Sequence, residues 1–320
     1  MYKLIAIAKN TFVETLRQPV YAVIIAAALL LFLISPALSM YTMDDDNKLL
    51  REIGLSTLFL TSLFVAIFSA SGAVSIEMEN KTILTVLTKP VQRPIFILAK
   101  FLGVVAAVAL AHYVCTIGLL MTIRHGVLST ASDTHDWTVI GSAAVVAVVT
   151  VLLSAFFNYA YDWKFTSTAV VVGAILATLA LVFLALIDRN WQFAPAKNGI
   201  QRLDVYAAIL LFMGAVVISA IAVAISARFN VVVTLSACIG VFLLGLISDY
   251  VFGRFAGTHL WALVGRFLVP DLQIFWISDA IYEGSVVPFR YILVSAGYAL
   301  SYTLGILAVA VALFQRRQIA

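Results

Sequence analysis

Residues 20–39, VYAVIIAAALLLFLISPALS, form an apolar run without a single charged side chain. A helix of about 20 apolar residues crosses the roughly 30 Å hydrocarbon core of a bilayer. The run therefore predicts a membrane-spanning helix. Because Lys3, Lys9 and Arg17 precede it, a cleaved secretory signal is the alternative, but this basic region is long and itself amphipathic, which favours a retained span.

Seven further apolar runs of similar length follow in the chain. Of its 320 residues, 63% are hydrophobic and only 11% are charged, whereas a soluble domain carries about 25% charged residues. Lipid offers no partner to unpaired backbone groups, and the runs do not alternate as barrel strands do, so helices are expected. We predict an all-α, polytopic membrane helical bundle of about eight transmembrane helices in one domain, 1–320. The seven further runs are 54–75, 95–123, 137–157, 166–187, 205–225, 231–251 and 291–314.

The distribution of charge predicts how the bundle is oriented. If the N-terminus is inside, the inner segments hold eleven of the 20 Lys and Arg residues, at high density because most of the inner segments are very short. Twelve of the 16 acidic residues then lie outside. Positive charge marks the cytoplasmic side, so we predict a multi-pass protein of the cell membrane with both termini cytoplasmic. No basic cluster with interleaved aromatic residues suggests a nucleic-acid partner.

Residues 1–18 have an amphipathic helical pattern. One face is polar, and the opposite face carries Leu4, Ile5, Ala8, Phe12 and Leu16. This spacing predicts an interfacial helix in the headgroup plane before Pro19 turns the chain into the membrane. A frayed basic tail is the alternative.

The outer segment 253–290 is too apolar for a free loop. Its stretches 260–264 and 267–276 are too short to cross a bilayer, and both contain Trp, which favours the interface. We predict a re-entrant segment of short helices, broken at Pro270. A ninth span is the alternative, and it would place Arg316 and Arg317 outside, against the charge bias.

The segment 76–94 lies between the second and third spans, on the side predicted to be cytoplasmic. It favours a short helix over 76–88, in which Ile76, Ile83, Leu84 and Leu87 share one face. Acidic residues near the start of a helix complement its dipole, and Pro90 ends it. Such a polar helix between two spans can transmit a movement from a soluble partner.

The sequence of this segment resembles the intracellular loop of ABC-2-type ABC-transporter permeases. In that family an acidic residue, a Gly/Lys-Thr pair, a Leu-x-x-Pro-Val-x-Arg stretch and a later Lys recur between the second and third spans. The matching residues are Glu77, Glu79, Asn80-Lys81-Thr82-Ile83, Leu87-Thr88-Lys89-Pro90-Val91, Arg93, Lys100 and Gly103. The specific match covers about thirty residues, while 1–18 is similar to the family's elbow helix and 253–290 to its extracellular helices. Many members have six spans, so the eight predicted here resemble longer members such as the nitrous-oxide-reductase maturation permeases.

The resemblance implies a permease subunit, in an exporter, that couples ATP hydrolysis by a separate ATP-binding subunit to translocation. The segment 76–88 would be the coupling helix seated on that subunit. A second permease protomer, identical or not, and the lipid bilayer complete the expected partners, and ATP and magnesium are expected only on the ATP-binding subunit. The implied coupling residues are Glu77, Glu79, Ile83, Leu84, Leu87 and Arg93, with Arg93 equally suited to anchoring in phosphate headgroups.

The sequence contains no Gly-x-x-x-x-Gly-Lys-Ser/Thr loop and no His-Glu-x-x-His, so we expect neither a bound cofactor or metal nor catalysis by this chain alone. Ionisable or strongly polar residues within the spans are few, and His112 and Asn158 are the candidates for a translocation path; hydrogen bonding between helices is the simpler interpretation. His125 and His135 could meet beyond the third span. An ion-coupled secondary carrier, or a membrane-embedded enzyme or assembly factor, remains the alternative function.

Overall fold

The structure is a computed structural model that describes residues 2–39, 46–76, 92–128, 134–195, 201–283 and 285–315. Within these ranges the chain is helical, and the only β-pairing is an isolated antiparallel bridge between Ile187 and Phe193. The predicted all-α fold is confirmed.

Twelve α-helices follow one another in the described ranges, and two of them are short linking helices of four or five residues. A π-helical turn, Ser71–Ile76, continues α3, and 3-10 turns occupy Gly253–Phe255 and Gln273–Phe275. The helices are α1 Tyr2–Arg17, α2 Pro19–Ser39, α3 Asp46–Ala70, α4 Arg93–His125, α5 Trp137–Tyr161, α6 Phe165–Leu186, α7 Arg202–Ser226, α8 Val231–Leu246, α9 Ser248–Val251, α10 Leu260–Leu268, α11 Ser278–Tyr282 and α12 Phe289–Gln315.

Seven of the described helices are long and apolar enough to cross a membrane: α2, α3, α4, α5, α6, α7 and α12. This is the composition of a multi-pass membrane protein. In α3 and α7 the apolar stretch is 72% buried inside the bundle, whereas in α5 it is 11% buried. The centre of the bundle is therefore formed by α3 and α7 with α4 beside them, and α5 lies on the outside.

The predicted span 231–251 is not one continuous helix, which corrects the sequence prediction. After α8 ends at Leu246, the chain bends by 69° into the short helices that begin at Ser248. The Leu272 amide donates a 3.0 Å hydrogen bond to the Gly245 carbonyl, taking an acceptor that a continuing helix would use. A Cβ atom at Gly245 would lie 2.8 Å from the Pro270 carbonyl oxygen, so the close approach requires glycine.

Two contacts show which helix ends lie together. The rings of Phe96 and Phe314 stack with centroids 5.7 Å apart, which joins the start of α4 to the end of α12. The Thr166 hydroxyl donates to the Arg17 carbonyl at 3.4 Å, which joins the start of α6 to the end of α1. We call this the terminal end of the bundle, and the opposite end, where α4 finishes and α5 begins, the distal end.

Candidate functional site

The predicted coupling segment is flanked by described helices, but most of it lies outside the described residues. Glu77, Glu79, Ile83, Leu84 and Leu87 are all outside the described ranges. Arg93 begins α4, and only its backbone is described. The π-helical turn at the end of α3 and the start of α4 therefore flank this segment, and together we call them its frame.

Helix α1 packs closely on α4 at Gly103, within this frame. A Cβ atom at Gly103 would lie 2.6 Å from the Ala8 carbonyl oxygen and equally close to the Thr11 side chain. Thr11 and Thr15 are buried, and the Thr15 hydroxyl donates to the Thr11 carbonyl at 2.9 Å. The sequence predicted helix α1. It did not predict that Thr11, rather than a large apolar side chain, would lie at the closest contact with α4.

The ends of α3 and α4 are also tied to other helices. A Cβ atom at Gly72 would lie 2.5 Å from the Gln18 amide nitrogen, so the π-helical turn touches the junction of α1 and α2. Lys100 is 2% exposed, and its ammonium lies 5.6 Å from the centroid of the Phe96 ring. Since Phe96 also stacks on Phe314, the start of α4 is in direct contact with α12.

His112 joins the three central helices. Its Nε2 lies 2.9 Å from the Ala208 carbonyl oxygen on α7, and its Nδ1 lies 2.8 Å from the Ser62 hydroxyl oxygen on α3. A carbonyl only accepts, so Nε2 carries a hydrogen and, in the neutral ring, Nδ1 is an acceptor. The Ser62 hydroxyl has a single hydrogen, for which Nδ1 competes with the Leu58 carbonyl of its own helix, 2.9 Å away. Both ring nitrogens thus lie within hydrogen-bonding distance of neighbouring helices, which supports the interpretation of His112 as a link between helices.

Asn158 lies in a different environment, near the end of α5. Its side chain is exposed, and its amide donates to the Trp163 carbonyl. The turn that follows contains Asp162 with φ 57°, the left-handed conformation that ends a helix. His112 and Asn158 share no hydrogen-bond partner in the described part of the chain, so the structure does not bring the two path candidates together.

A buried charge cluster at the distal end was not predicted. Arg124 lies 3.5 Å from the Asp136 carboxylate, and the two residues are 5% and 1% exposed. Arg124 also donates to the Leu184 and Ile187 carbonyls at the end of α6. The cluster joins α4, α5 and α6. Its only signal in the sequence was Asp136, which lies immediately before an apolar run, where aspartate is a common N-cap.

Three tyrosines of α12 form hydrogen bonds with the backbone on both sides of the break in the predicted re-entrant segment. The Tyr291 hydroxyl donates to the Ile274 carbonyl and the Tyr302 hydroxyl to the Leu268 carbonyl, both at 2.7 Å. The Tyr298 hydroxyl accepts from the Asp271 amide at 2.8 Å. Backbone groups freed by the break are satisfied in this way, as apolar surroundings require.

Asp271 itself is the most notable carboxyl of this break. It is partly buried beside Ser248 and Asp249, and it lies between α10 and the 3-10 turn that begins at Gln273, outside the seven long helices.

Replacing Ser62 by alanine tests the link through His112. The variant leaves the Nδ1 atom of a buried imidazole without a partner, so we expect the free energy of unfolding to fall by about 1–3 kcal/mol. Ser219→Ala is the matched control, because Ser219 is also buried in the bundle centre but donates only to Ala215 in its own helix. Thermal unfolding of both variants in detergent measures the difference, and equal losses would contradict the role of Ser62.

Compared with family models and with curated proteins, the chain matches none. Within the described ranges, no three His, Cys, Asp or Glu side chains are grouped so that they could hold a metal ion. Function must therefore be inferred from the sequence of 76–94 and from the described helices around it.

Proposed function

We propose that this chain is the membrane-spanning permease subunit of an ATP-binding-cassette exporter. The observation that carries the proposal is the segment from Glu77 to Arg93, whose acidic, Lys-Thr and Leu-x-x-Pro-Val-x-Arg pattern lies between two long apolar helices. A charged, helix-compatible segment at this place suits a contact with a soluble motor. The helical bundle supports the same class of protein.

The frame around the segment supports a coupling role. The segment connects α3 to α4, two of the three helices at the centre of the bundle. Contacts at Gly72, Phe96 and Gly103 tie the flanking turns to α1, α2 and α12. A displacement of the segment by the ATP-binding subunit would therefore move the central helices together.

We further propose eight crossings with both termini cytoplasmic. Since Phe314 lies against Phe96, α12 ends at the end where α4 begins. Four successive long helices, α4 to α7, bring the chain back to that same end, so one crossing must lie between α7 and α12. The bent pair α8–α9 supplies it, and 253–288 would then remain on the distal side without crossing. The density of Lys and Arg assigns the terminal end to the cytoplasm.

The partners follow from this proposal. An ATP-binding subunit would sit under the segment 76–94 and carry the ATP and magnesium, and a second permease protomer would complete the translocation path. The N-terminal helix α1 would lie in the headgroup region as an elbow helix, and this chain would have no catalytic activity alone.

An ion-coupled carrier is the second candidate, and one observation favours it. Asp271 is a partly buried carboxyl at a point where two interrupted helical segments meet, since α8 also ends there at the Gly245 contact. Interrupted helices of this kind hold coupling ions in several carrier folds. Transport that persists after ATP depletion but stops when the ion gradient is collapsed would favour this candidate.

The proposal is tested by determining on which side of the membrane residue 80 lies, and by asking whether an ATP-binding subunit co-purifies with the chain. A cysteine at Asn80 should react with a membrane-impermeant maleimide only after cells are permeabilised, whereas Asn190→Cys, an exposed position at the distal end, should react in intact cells. The native Cys115 and Cys238 are buried and give little background. An ATP-binding subunit should co-purify with the tagged chain from its native membrane. Labelling of Asn80→Cys in intact cells would overturn the proposal, because no cytoplasmic motor could reach it.

A further inference from the structure

Two histidines meet at the distal end of the bundle. His125 is the last residue of α4, and His135 lies just before α5. The His125 Nε2 and His135 Nδ1 atoms are 3.5 Å apart, and the ring centroids are 5.6 Å apart. A hydrogen bond would place the two nitrogens about 2.7–3.2 Å apart. Two zinc–nitrogen bonds of about 2.0–2.1 Å at a tetrahedral angle place them about 3.4 Å apart, so the observed spacing also fits a shared metal ion.

The protonation of His125 is fixed by its other nitrogen. Its Nδ1 lies 2.9 Å from the Gly126 carbonyl oxygen, which can only accept, so Nδ1 carries the hydrogen. In the neutral ring, the lone pair of Nε2 is then directed at His135. Metal-binding histidines are held in the same way, by a second hydrogen bond to a carbonyl or carboxylate. Gly126 has φ 71°, a conformation that favours glycine.

The buried charge cluster holds the backbone of His125 and the residue that follows His135. The Arg189 guanidinium donates to the Arg124 and His125 carbonyls at 3.2 and 3.0 Å. Asp136, next to His135, caps α5 by accepting from the Thr138 and Val139 amides. His125 is thus the last residue of one helix and His135 immediately precedes the cap of the next, an arrangement that favours a preformed site.

The site is open to solvent, and its charge limits its affinity. His135 is exposed and His125 partly exposed, so water can complete the coordination of an ion. Asp136 lies between Arg124 and Arg189, and the cluster keeps one surplus positive charge that opposes a cation. With two protein ligands instead of the four of a structural zinc site, we expect weaker binding than at such a site.

We propose that His125 and His135 form a binding site for a divalent transition-metal ion of the zinc class, at the distal end of the bundle. Imidazole nitrogen is a preferred ligand for such ions. The proposal does not depend on the transport function, because it uses only residues at the ends of α4 and α5. An exchangeable metal ion here would connect α4 to α5 across the loop between them.

Zinc titration of the purified chain tests the site. The protein should carry a tag without histidine, and zinc should be delivered against a fluorescent indicator that competes for it. We expect about one zinc ion per chain, and His125→Gln or His135→Gln should weaken binding by roughly tenfold or more, since even outer-shell changes cost 10–100-fold. His259→Gln is the matched control, because His259 is exposed and stacks on Trp261 instead.

Two results would overturn the proposal. One is zinc binding in which both histidine variants stay within about twofold of the unmodified chain while remaining folded by gel filtration. The other is the absence of saturable binding when the unmodified chain is titrated with zinc. Because both side chains are at the surface, the variants should fold, and a loss of binding confined to them establishes the site.

Discussion

Replacing Asp136 by asparagine lowers the free energy of unfolding by about 3–5 kcal/mol, the loss expected when a buried ion pair keeps one uncompensated charge. Arg124 is that charge, since it is 5% exposed and its nearest carboxylate is Asp136 at 3.5 Å. Asparagine keeps the shape of the side chain and can still cap α5, so the variant removes the charge and little else. Arg189, the other partner of Asp136, is more than half exposed and adds less.

Thermal unfolding in detergent measures this loss. A change of 1 kcal/mol shifts the midpoint by about 2–4 °C in chains of 150–250 residues, so we expect a shift of roughly 5–15 °C here. Asp249→Asn is the matched control, because Asp249 and Arg266 form an exposed pair 4.0 Å apart. Such surface pairs contribute about 0–1 kcal/mol. Similar shifts for the two variants would show that the Arg124–Asp136 pair is solvated. A chelator in the buffer keeps metal at His125 and His135 from contributing.

Reversing both Glu77 and Glu79 to lysine is expected to abolish retention of the proposed ATP-binding subunit. Each reversal turns a proposed attraction into a repulsion, and like charges across an interface cost several kcal/mol, which is about 100-fold or more in affinity. The measurement is the amount of ATP-binding subunit, and of ATPase activity, that co-purifies with the tagged chain from native membranes.

A second double variant controls for the change in net charge. Glu14→Lys with Glu283→Lys adds the same charge at two exposed side chains outside the proposed contact. It should retain the ATP-binding subunit as the unmodified chain does. If the Glu77 and Glu79 double variant reaches the membrane in normal amount and still retains the subunit, then these two acids do not hold the partner.

Most long helices were predictable because the signal for a membrane span is local. The run 137–157 became α5 Trp137–Tyr161, and 166–187 became α6 Phe165–Leu186. An uninterrupted apolar stretch has few alternatives in lipid, so composition alone sets the helix and its approximate ends.

The features that failed prediction depend on partners distant in sequence. The bend after α8 follows from Leu272 taking the Gly245 carbonyl, a contact across 27 positions that no periodicity reveals. On α1, Leu16 of the predicted apolar face is buried against the bundle, whereas Ile5 of the same face is 59% exposed, so the placement of this face in the headgroup region stays a prediction. Gly103 brings α4 so close that threonine, rather than a large apolar side chain, faces it.

Some residues of the candidate site could be predicted from the sequence and others could not. The coupling residues follow from a sequence resemblance and lie outside the described ranges, so their roles stay predictions. For His112 the simpler interpretation, a hydrogen bond between helices, agrees with its contacts to Ser62 and Ala208. Arg124 could not be paired from the sequence, because its partners come from the next two helices.

The tyrosines of α12 have a mechanical consequence. Tyr291, Tyr298 and Tyr302 are spaced by seven and four positions, which places them on one stripe of the helix. Their three hydrogen bonds therefore share a single rotational setting of α12. Turning that helix by one residue, about 100°, would break all three hydrogen bonds at once. The attachment of the neighbouring broken segment to α12 is therefore expected to be all-or-none.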